Sequence, residues 1–250
     1  MTEIEKKKTR IVFKVKIDDW DTTKIISEYI PHTWDQIFKK TSEERAVIGE
    51  LMKNKVLPMY QSIYPPKEKI FAAFDLCPLS KVRVVIVGQD PYPQDGKACG
   101  LSFSILPDDS SIPGSLKNIY KELSLEYPEF IIPSHGDLKS WARQGVLLLN
   151  VALHFSLGEP VGQNIGLWKP FYTKTIKALI EYNPNIIFVL WGDKAQKATL
   201  PSIGNTKSLV SGHPSPQAVN TGGNFIGNGH FKKVNQILES RGEEQINWQL

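Results

Sequence analysis

The chain has few of the features that identify several large classes of protein. Only two cysteines, Cys77 and Cys99, occur among its 250 residues, and their spacing suits neither a disulfide framework nor a zinc knuckle. No run of about 18 apolar residues is present that would span a membrane. The charged start MTEIEKKKTR also lacks the apolar core of a secretion signal. We therefore expect a soluble intracellular protein that is not secreted and has no membrane partner.

The chain lacks the sequence motifs of two classes of enzyme that act on nucleotides or their bases. Neither G-x-G-x-x-G nor G-x-x-x-x-G-K-[ST] follows an apolar strand, which argues against another kind of nucleotide-binding α/β enzyme. The pattern of the zinc base deaminases, H-x-E followed by P-C-x-x-C, is absent as well. Both classes are therefore disfavoured.

Composition and charge set only broad limits. The 250 residues are 41% hydrophobic, which is enough for one sizeable core and requires no second domain. The formal net charge is +4, from 30 Lys and Arg against 26 Asp and Glu. Such a balance mildly favours a polyanionic partner, but simple solubility explains it equally well.

Apolar runs alternate with helical patterns along most of the chain. Four runs predict buried strands at residues 82–87, 146–149, 186–191 and 208–210. Helical spacing recurs between and after them, in the sets Leu116, Ile119, Tyr120, Leu123; Tyr172, Ile176, Leu179, Ile180; and Phe231, Val234, Ile237, Leu238. We predict a single α/β domain with a central, mainly parallel four-stranded sheet that is flanked by helices on both faces.

The N-terminal part follows a different pattern. Residues 1–33 are predicted to form an extension, partly disordered, with a short strand where apolar residues alternate at 11–17. One or two helices are expected within 34–55, and the α/β domain is assigned to residues 34–250.

Each predicted strand of the sheet ends in a polar loop. Gly88-Gln89-Asp90 follows the first strand, Asn150 the second, Gly192-Asp193-Lys194 the third and Ser211-Gly212-His213 the fourth. Parallel strands bring their carboxyl ends to one edge, so these loops are expected to face one cleft. Taken singly, Asp90 before a proline is also common turn chemistry, and a lone histidine is more often structural than catalytic. Their joint occurrence at strand ends favours a site.

Five motifs in these loops resemble those of the family 1 uracil-DNA glycosylases, in the same order and at similar spacing. They are Gln89-Asp90-Pro91-Tyr92, Gly100-Leu101-Ser102-Phe103-Ser104, Pro113-Gly114-Ser115-Leu116, residues 145–150 and His213-Pro214-Ser215-Pro216. The resemblance extends from about Trp34 to Leu250. It implies a monofunctional enzyme that hydrolyses the N-glycosidic bond of uracil in DNA.

The resemblance also implies a role for each pocket residue. Asp90 would position the attacking water and offset positive charge on the sugar, and His213 would donate a hydrogen bond to O2 of the leaving uracil. Asn150 would bind the Watson–Crick edge of uracil, and Phe103 would stack on its face. Tyr92 would lie against C5, where thymine carries a methyl group, and Gln89 would line the pocket through its backbone. This chemistry needs no metal and no cofactor.

DNA contacts are implied for a second group of residues. Ser115 and Ser215 would bind phosphates on either side of an extruded nucleotide. The loops that contain these two serines would compress the DNA strand between them. Gly192, in a further DNA-facing loop, and Gln217, at the position that enters the base stack, complete the set. This set is Pro113, Gly114, Ser115, Gly192, Pro214, Ser215 and Gln217. The expected partner is uracil-containing DNA, single- or double-stranded, bound by a monomer that is located where the DNA is, in a cytoplasm or nucleus.

Several positions depart from the family pattern. Most members of the family have histidine where this chain has Pro93, and the change to proline resembles the poxviral glycosylases. Gln217 stands where the family usually has a leucine that enters the base stack. Ala218 and Asp193 replace hydroxyl residues, and the stretch 220–226 is longer than usual, with Phe225 as an alternative apolar wedge. A glycosylase-fold DNA-binding or replication-accessory protein is the alternative function. A proteinaceous inhibitor or a replication protein is a further potential partner.

Overall fold

Four parallel strands form the centre of the fold in the computed structural model, which describes residues 30–38, 52, 56, 62–109 and 111–250. Two shorter strands, β1 (Ile63–Tyr64) and β4 (Phe155–Ser156), pair antiparallel and form a separate two-stranded sheet. The central strands are β2 Val84–Gly88, β3 Val146–Asn150, β5 Ile187–Trp191 and β6 Ser208–Ser211. Their order in the sheet is β3-β2-β5-β6. Every residue of β2, β3 and β5 is buried, whereas the edge strand β6 is only partly covered.

Helices flank the sheet and use their apolar stripes to cover it. Their bounds are α1 Asp35–Phe38, α2 Ala72–Leu76, α3 Gly114–Glu126, α4 Lys139–Arg143, α5 Ile165–Tyr182, α6 Asp193–Ile203, α7 Pro216–Asn220 and α8 His230–Ser240. In α3 the predicted stripe of Leu116, Ile119, Tyr120 and Leu123 is buried. Each such side chain contributes roughly 1.5–3 kcal/mol when it is fully removed from water. No helix within the described ranges is long and apolar enough to cross a membrane.

The predicted fold class, a single α/β domain with a four-stranded parallel sheet, is confirmed. The first strand starts two residues later than predicted, because Val82 closes a 3₁₀ turn at Leu79–Lys81. Helix α5 starts at Ile165, before the predicted stripe, and contains Pro170 in its second turn. The strand predicted at 11–17 lies outside the described residues, and so does most of the stretch 34–55, in which one or two helices are predicted.

An aromatic cluster joins the N-terminal part of the described chain to the sheet. The buried Trp34 donates from Nε1 to the carbonyls of Phe74 and Cys77, both at 3.0 Å. Its ring meets Phe74 edge-on at 4.8 Å, and Phe38 stacks on Phe171 of α5 at 5.6 Å. Ile30 is also buried in the core. These contacts anchor residues 30–38 to the domain.

Candidate active site

The strand register brings the predicted site loops to one edge of the sheet. Gly88 is paired with Asn150 across β2 and β3, and Trp191 is paired with Ser211 across β5 and β6. Because all four strands are parallel, the residues that follow them emerge side by side. The sheet therefore places Asp90, Asn150 and the loops after Trp191 and Ser211 at one edge, where an open parallel sheet binds its ligand.

Asp90 is half-buried and held by its neighbours. The side-chain amide of Gln89 donates to Oδ2 of Asp90 at 2.7 Å. Burial raises the pKa of Asp90 above its ordinary value of 3.8, whereas hydrogen bonds from the Gln89 side chain and the Gly162 backbone and the charge of Lys194 act in the opposite direction. These groups fix the carboxylate in one orientation and favour its ionised form.

The side chain of Asn150 occupies space that Gly88 leaves open. Asn150 is buried, and its Oδ1 has no hydrogen-bond partner. A Cβ on Gly88 would lie 2.1 Å from that oxygen and 2.7 Å from Cβ of Ser102. Buried polar atoms are rarely left unpaired, so this acceptor is available to a ligand that offers an N–H donor.

Phe103 is held in a strained conformation. It has a φ of +62°, the left-handed region that a bulky side chain rarely adopts. The preceding Ser102 stabilises this turn, since its N–H donates to Leu148 at 3.0 Å and its hydroxyl donates to Ile86 at 3.1 Å. The Phe103 ring meets Trp191 edge-on at 5.5 Å. Strain of about 1–3 kcal/mol at such a residue often accompanies a binding role.

Tyr92 is tied to Phe103 directly. Its hydroxyl donates to the carbonyl of Phe103 at 3.2 Å, and burial raises its pKa, so the phenol stays neutral. The two aromatic residues therefore belong to one rigid wall of the cleft.

His213 has a defined tautomer. Its Nδ1 accepts a hydrogen bond from the backbone N–H of Ser215 at 3.0 Å, so the proton of the neutral ring is on Nε2. Burial lowers the pKa of His213 below its ordinary 6.5, which favours that neutral form at pH 7. Gly192 makes room for the ring, because a Cβ at this position, where φ is +88°, would lie 2.8 Å from Cβ of His213. The side chain can therefore donate from Nε2.

The two loops predicted to grip DNA lie against each other. Gly114 packs on Pro216, whose Cγ would be 2.4 Å from a Cβ at Gly114. Ser115 stands in the first turn of α3 and Ser215 caps α7, where its Oγ accepts from the N–H of Ala218 at 3.3 Å. The side chain of Gln217 is exposed on α7.

The structure contradicts one expectation for this surface. Phe225 is fully buried and meets Trp191 edge-on at 5.2 Å. It belongs to the core, so its prediction as an alternative wedge is wrong. The alternation of apolar and polar residues gave no sign that the loop turns inward at this position.

Other groups near the site were not predicted. Gly162 contributes only a backbone N–H to Asp90, which no sequence pattern reveals. The side chain of Gln89 binds Asp90, while its carbonyl accepts from Ala152 at 3.0 Å. Lys194, exposed in the first turn of α6, supplies the nearby positive charge. Among the described residues, no three His, Cys, Asp or Glu side chains are grouped closely enough to hold a metal ion.

Comparison with known proteins identifies the family. A sequence profile described as the uracil DNA glycosylase superfamily matches residues 74–239. The chain belongs to this superfamily. It is 41% identical to the uracil-DNA glycosylase of Pseudoalteromonas translucida over 223 residues, which are 89% of this chain and 93% of that protein. It is 47% identical to the Yersinia pestis uracil-DNA glycosylase over 193 residues, 76% of this chain and 82% of that protein.

Solved structures of the superfamily have the same fold. The crystal structure of mimivirus uracil-DNA glycosylase superposes with a TM-score of 0.80 at 29% identity, covering 92% of this chain and 90% of that chain. A variant of the mimivirus protein in complex with UGI gives a TM-score of 0.79 at 29% identity, with 92% of each chain covered.

Because Gly88 lies against Asn150, we expect a Gly→Ala substitution at Gly88 to destabilise the protein more than the same substitution at Gly166. Gly88→Ala should lower the free energy of unfolding by about 1–3 kcal/mol and displace the Asn150 side chain, because the added methyl overlaps its Oδ1. Gly166→Ala in α5 is the matched control, since no atom lies within 4 Å of a Cβ at that position. It should leave stability unchanged or increase it by up to about 1 kcal/mol. Chemical denaturation of both variants makes the comparison, and equal stabilities would contradict the contact.

Proposed function

We propose that this superfamily member hydrolyses the N-glycosidic bond of uracil in DNA, releasing uracil and leaving an abasic site for repair. The proposal rests mainly on the unpaired, buried Oδ1 of Asn150, which lies at the same edge of the sheet as Asp90 and the loop that contains His213. Relatives named uracil-DNA glycosylase, at 41–47% identity, support the same activity.

Asp90 and His213 act on opposite charges in this reaction. Breaking the bond builds positive charge on the sugar and negative charge on the base. The ionised Asp90 stabilises the sugar and positions the attacking water. His213 remains neutral and donates from Nε2 to O2 of the departing uracil, an assignment supported by the hydrogen bond that its Nδ1 accepts from Ser215. Gln89 supports Asp90 through its side chain.

Asn150 selects the base by its hydrogen-bonding edge. Uracil presents an N3–H donor beside the O4 acceptor, so N3–H pairs with the Oδ1 of Asn150 and O4 accepts from its Nδ2. Cytosine presents the reverse pattern and leaves buried groups unpaired. Phe103 stacks on the base, and Tyr92 lies against C5, where it excludes the methyl group of thymine.

The DNA backbone is bound without reading its sequence. Ser115, with Pro113 and Gly114, contacts one phosphate, and Ser215, with Pro214, contacts the next. Gly192 lies along the DNA strand beside His213. The side chain of Gln217 enters the base stack of the DNA. The adjacency of Gly114 and Pro216 supports a joint grip on one strand around an extruded nucleotide.

Finer assignments follow from the motifs. The run Gln89-Asp90-Pro91-Tyr92 supports membership of family 1, and Pro93 after it supports a poxviral-like variant of that family. We assign the catalytic domain to residues 34–250 and an N-terminal extension to 1–33. The partners are uracil-containing DNA and, by analogy with the mimivirus complex with UGI, a proteinaceous inhibitor. The protein acts as a monomer where the DNA is located.

Removing either of the two catalytic groups should slow the chemical step. Asp90→Asn and His213→Ala are each expected to lower the single-turnover rate of uracil release by roughly 10²–10⁴. Asp95→Asn, an exposed carboxylate in the same loop, is the control and should retain the wild-type rate. Circular dichroism checks that each variant is folded. Near wild-type rates in the folded Asp90 and His213 variants would refute the assignment.

Shortening Tyr92 should relax the discrimination against thymine. Tyr92→Ala removes the ring proposed to lie against C5, so a thymine methyl fits and detectable thymine release is expected, with uracil release retained. Because Tyr92 also donates to Phe103, Tyr92→Phe is the control. It keeps the ring and should still reject thymine. An assay on T:A and U:A oligonucleotides decides this, and the C5 role fails if Tyr92→Ala releases no thymine at any enzyme concentration.

The polar side chain at Gln217 should limit excision from duplex DNA. Leucine in a base stack buries apolar surface worth about 1.5–3 kcal/mol, whereas the amide of Gln217 must find a partner there. We expect Gln217→Leu to raise uracil excision from a U:A duplex about tenfold and to change excision from the matching single strand little. Rates on the two substrates make the test. Equal or reduced duplex excision would show that Gln217 is already an adequate wedge.

A further inference from the structure

One face of helix α3 holds the chain segment that follows His213. Gly114, Asn118, Glu122 and Glu126 are spaced four residues apart, so they lie in one row along the helix. At the start of the row, Gly114 packs on Pro216. One turn later, Asn118 donates from Nδ2 to the carbonyl of Pro214 at 2.8 Å. The first half of the row thus contacts the loop proposed to bind phosphate.

Glu122 binds the other end of the same segment. Its carboxylate is fully buried and uses both oxygens, since Oε2 accepts from the N–H of Gly227 at 2.5 Å and Oε1 accepts from the N–H of Gly229 at 2.9 Å. Burying a carboxylate is costly unless it is hydrogen-bonded, and charge-assisted bonds are about twice as strong as neutral ones. Glu122 therefore fixes the path of the backbone at Gly227 and Gly229.

Glu126 has a different target. It accepts from the N–H groups of Phe231 at 3.3 Å and Lys232 at 2.6 Å, in the first turn of α8. A carboxylate at this end of a helix also interacts favourably with its dipole. Burial, with the neighbouring Glu122, raises the pKa of Glu126 to about 7. Glu126 thus secures the start of helix α8, and its backbone partners lie beyond the segment that Glu122 holds.

The segment between the two attachment points is held together by its own hydrogen bonds. The N–H of Gly223 donates to Ala218 at 2.8 Å, and Asn228 donates to the carbonyl of Phe225 at 2.6 Å. Asn224 accepts from the N–H of Gly212 at 2.6 Å, next to His213. Residues 214–229 therefore form one folded loop, which includes Gln217 and is attached to α3 at both ends.

We propose that Asn118 and Glu122 are positioning residues that hold residues 214–229 in register with Ser115 for DNA binding. The inference rests on the proposed function, because the register matters only if both loops grip one strand. Helix α3 begins at the first loop and anchors the second, so it sets the spacing between the two proposed phosphate contacts. A displacement of 1 Å at such contacts can cost up to about 100-fold in rate.

The isosteric substitution Glu122→Gln changes this anchor selectively. An amide keeps the size of the side chain but has a single acceptor oxygen, so its NH₂ faces one of the two glycine N–H groups and leaves it unpaired. Asn118→Ala removes the first attachment point in a partly buried position and provides a second variant. Glu126→Gln is the control for the loss of a buried carboxylate from the same row: Glu126 neighbours Glu122, but its own backbone partners, Phe231 and Lys232, lie in α8 outside residues 214–229.

The experiment measures KM and kcat on a uracil-containing duplex, inhibition by free uracil and the melting temperature for the wild type and the three variants. We expect Glu122→Gln and Asn118→Ala each to raise KM about tenfold, with kcat changed less than about threefold and the inhibition constant of uracil unchanged. Glu126→Gln should lower the melting temperature and keep KM within about twofold.

The results distinguish a failure of the proposed function from a failure of the positioning role. A wild-type protein that releases no uracil refutes the function itself. If the wild type is active, an unchanged KM in folded Asn118→Ala refutes the positioning role. A rise in KM in Glu126→Gln as large as the rise in Glu122→Gln refutes it as well. Should Glu122→Gln fail to fold, the Asn118→Ala result alone decides in the same way.

Discussion

The parallel pairing of β2 and β3 that sets Gly88 opposite Asn150 is the constraint on which the site depends. The missing side chain at Gly88 leaves the space in which the Asn150 carboxamide lies, and the same packing keeps its Oδ1 buried and unpaired. The chain continues from Gly88 directly into Gln89 and Asp90. A single strand end therefore positions both the side chain proposed to read the base and the carboxylate proposed to act on the sugar.

The opposite wall of the cleft requires conformations that the sheet alone would not produce. Phe103 is held at a positive φ by hydrogen bonds from Ser102 to β2 and β3, and Tyr92 donates to the Phe103 carbonyl. Trp191, at the end of β5, contacts both Phe103 and Phe225. Strain concentrated at a binding site and supported by rigid neighbours is a recurrent feature of functional sites.

The elements best predicted from the sequence are those that bury continuous apolar patterns, such as β2, β3 and the α3 stripe around Leu116 and Leu123. The apolar pattern does not predict helix α6, because its buried positions are only Ala195, Thr199 and Ile203 and Pro201 interrupts it. The grouping of Asp90, Asn150 and His213 follows from strand order. The contributions of Gly162 and of the Gln89 side chain do not, because they depend on loop paths. The prediction of Phe225 as an apolar wedge is wrong, because the path of its loop buries the ring in the core, and an isolated aromatic residue in the sequence does not reveal that path.

The buried, unpaired Oδ1 of Asn150 is proposed to accept a hydrogen bond from the N3–H of uracil. Calorimetric binding of 1-methyluracil and 3-methyluracil measures this hydrogen bond, because each compound carries one added methyl group and only the first retains N3–H. We expect 3-methyluracil to bind at least roughly tenfold more weakly than 1-methyluracil, because the buried acceptor then stays unpaired. Equal affinities for the two compounds would contradict it.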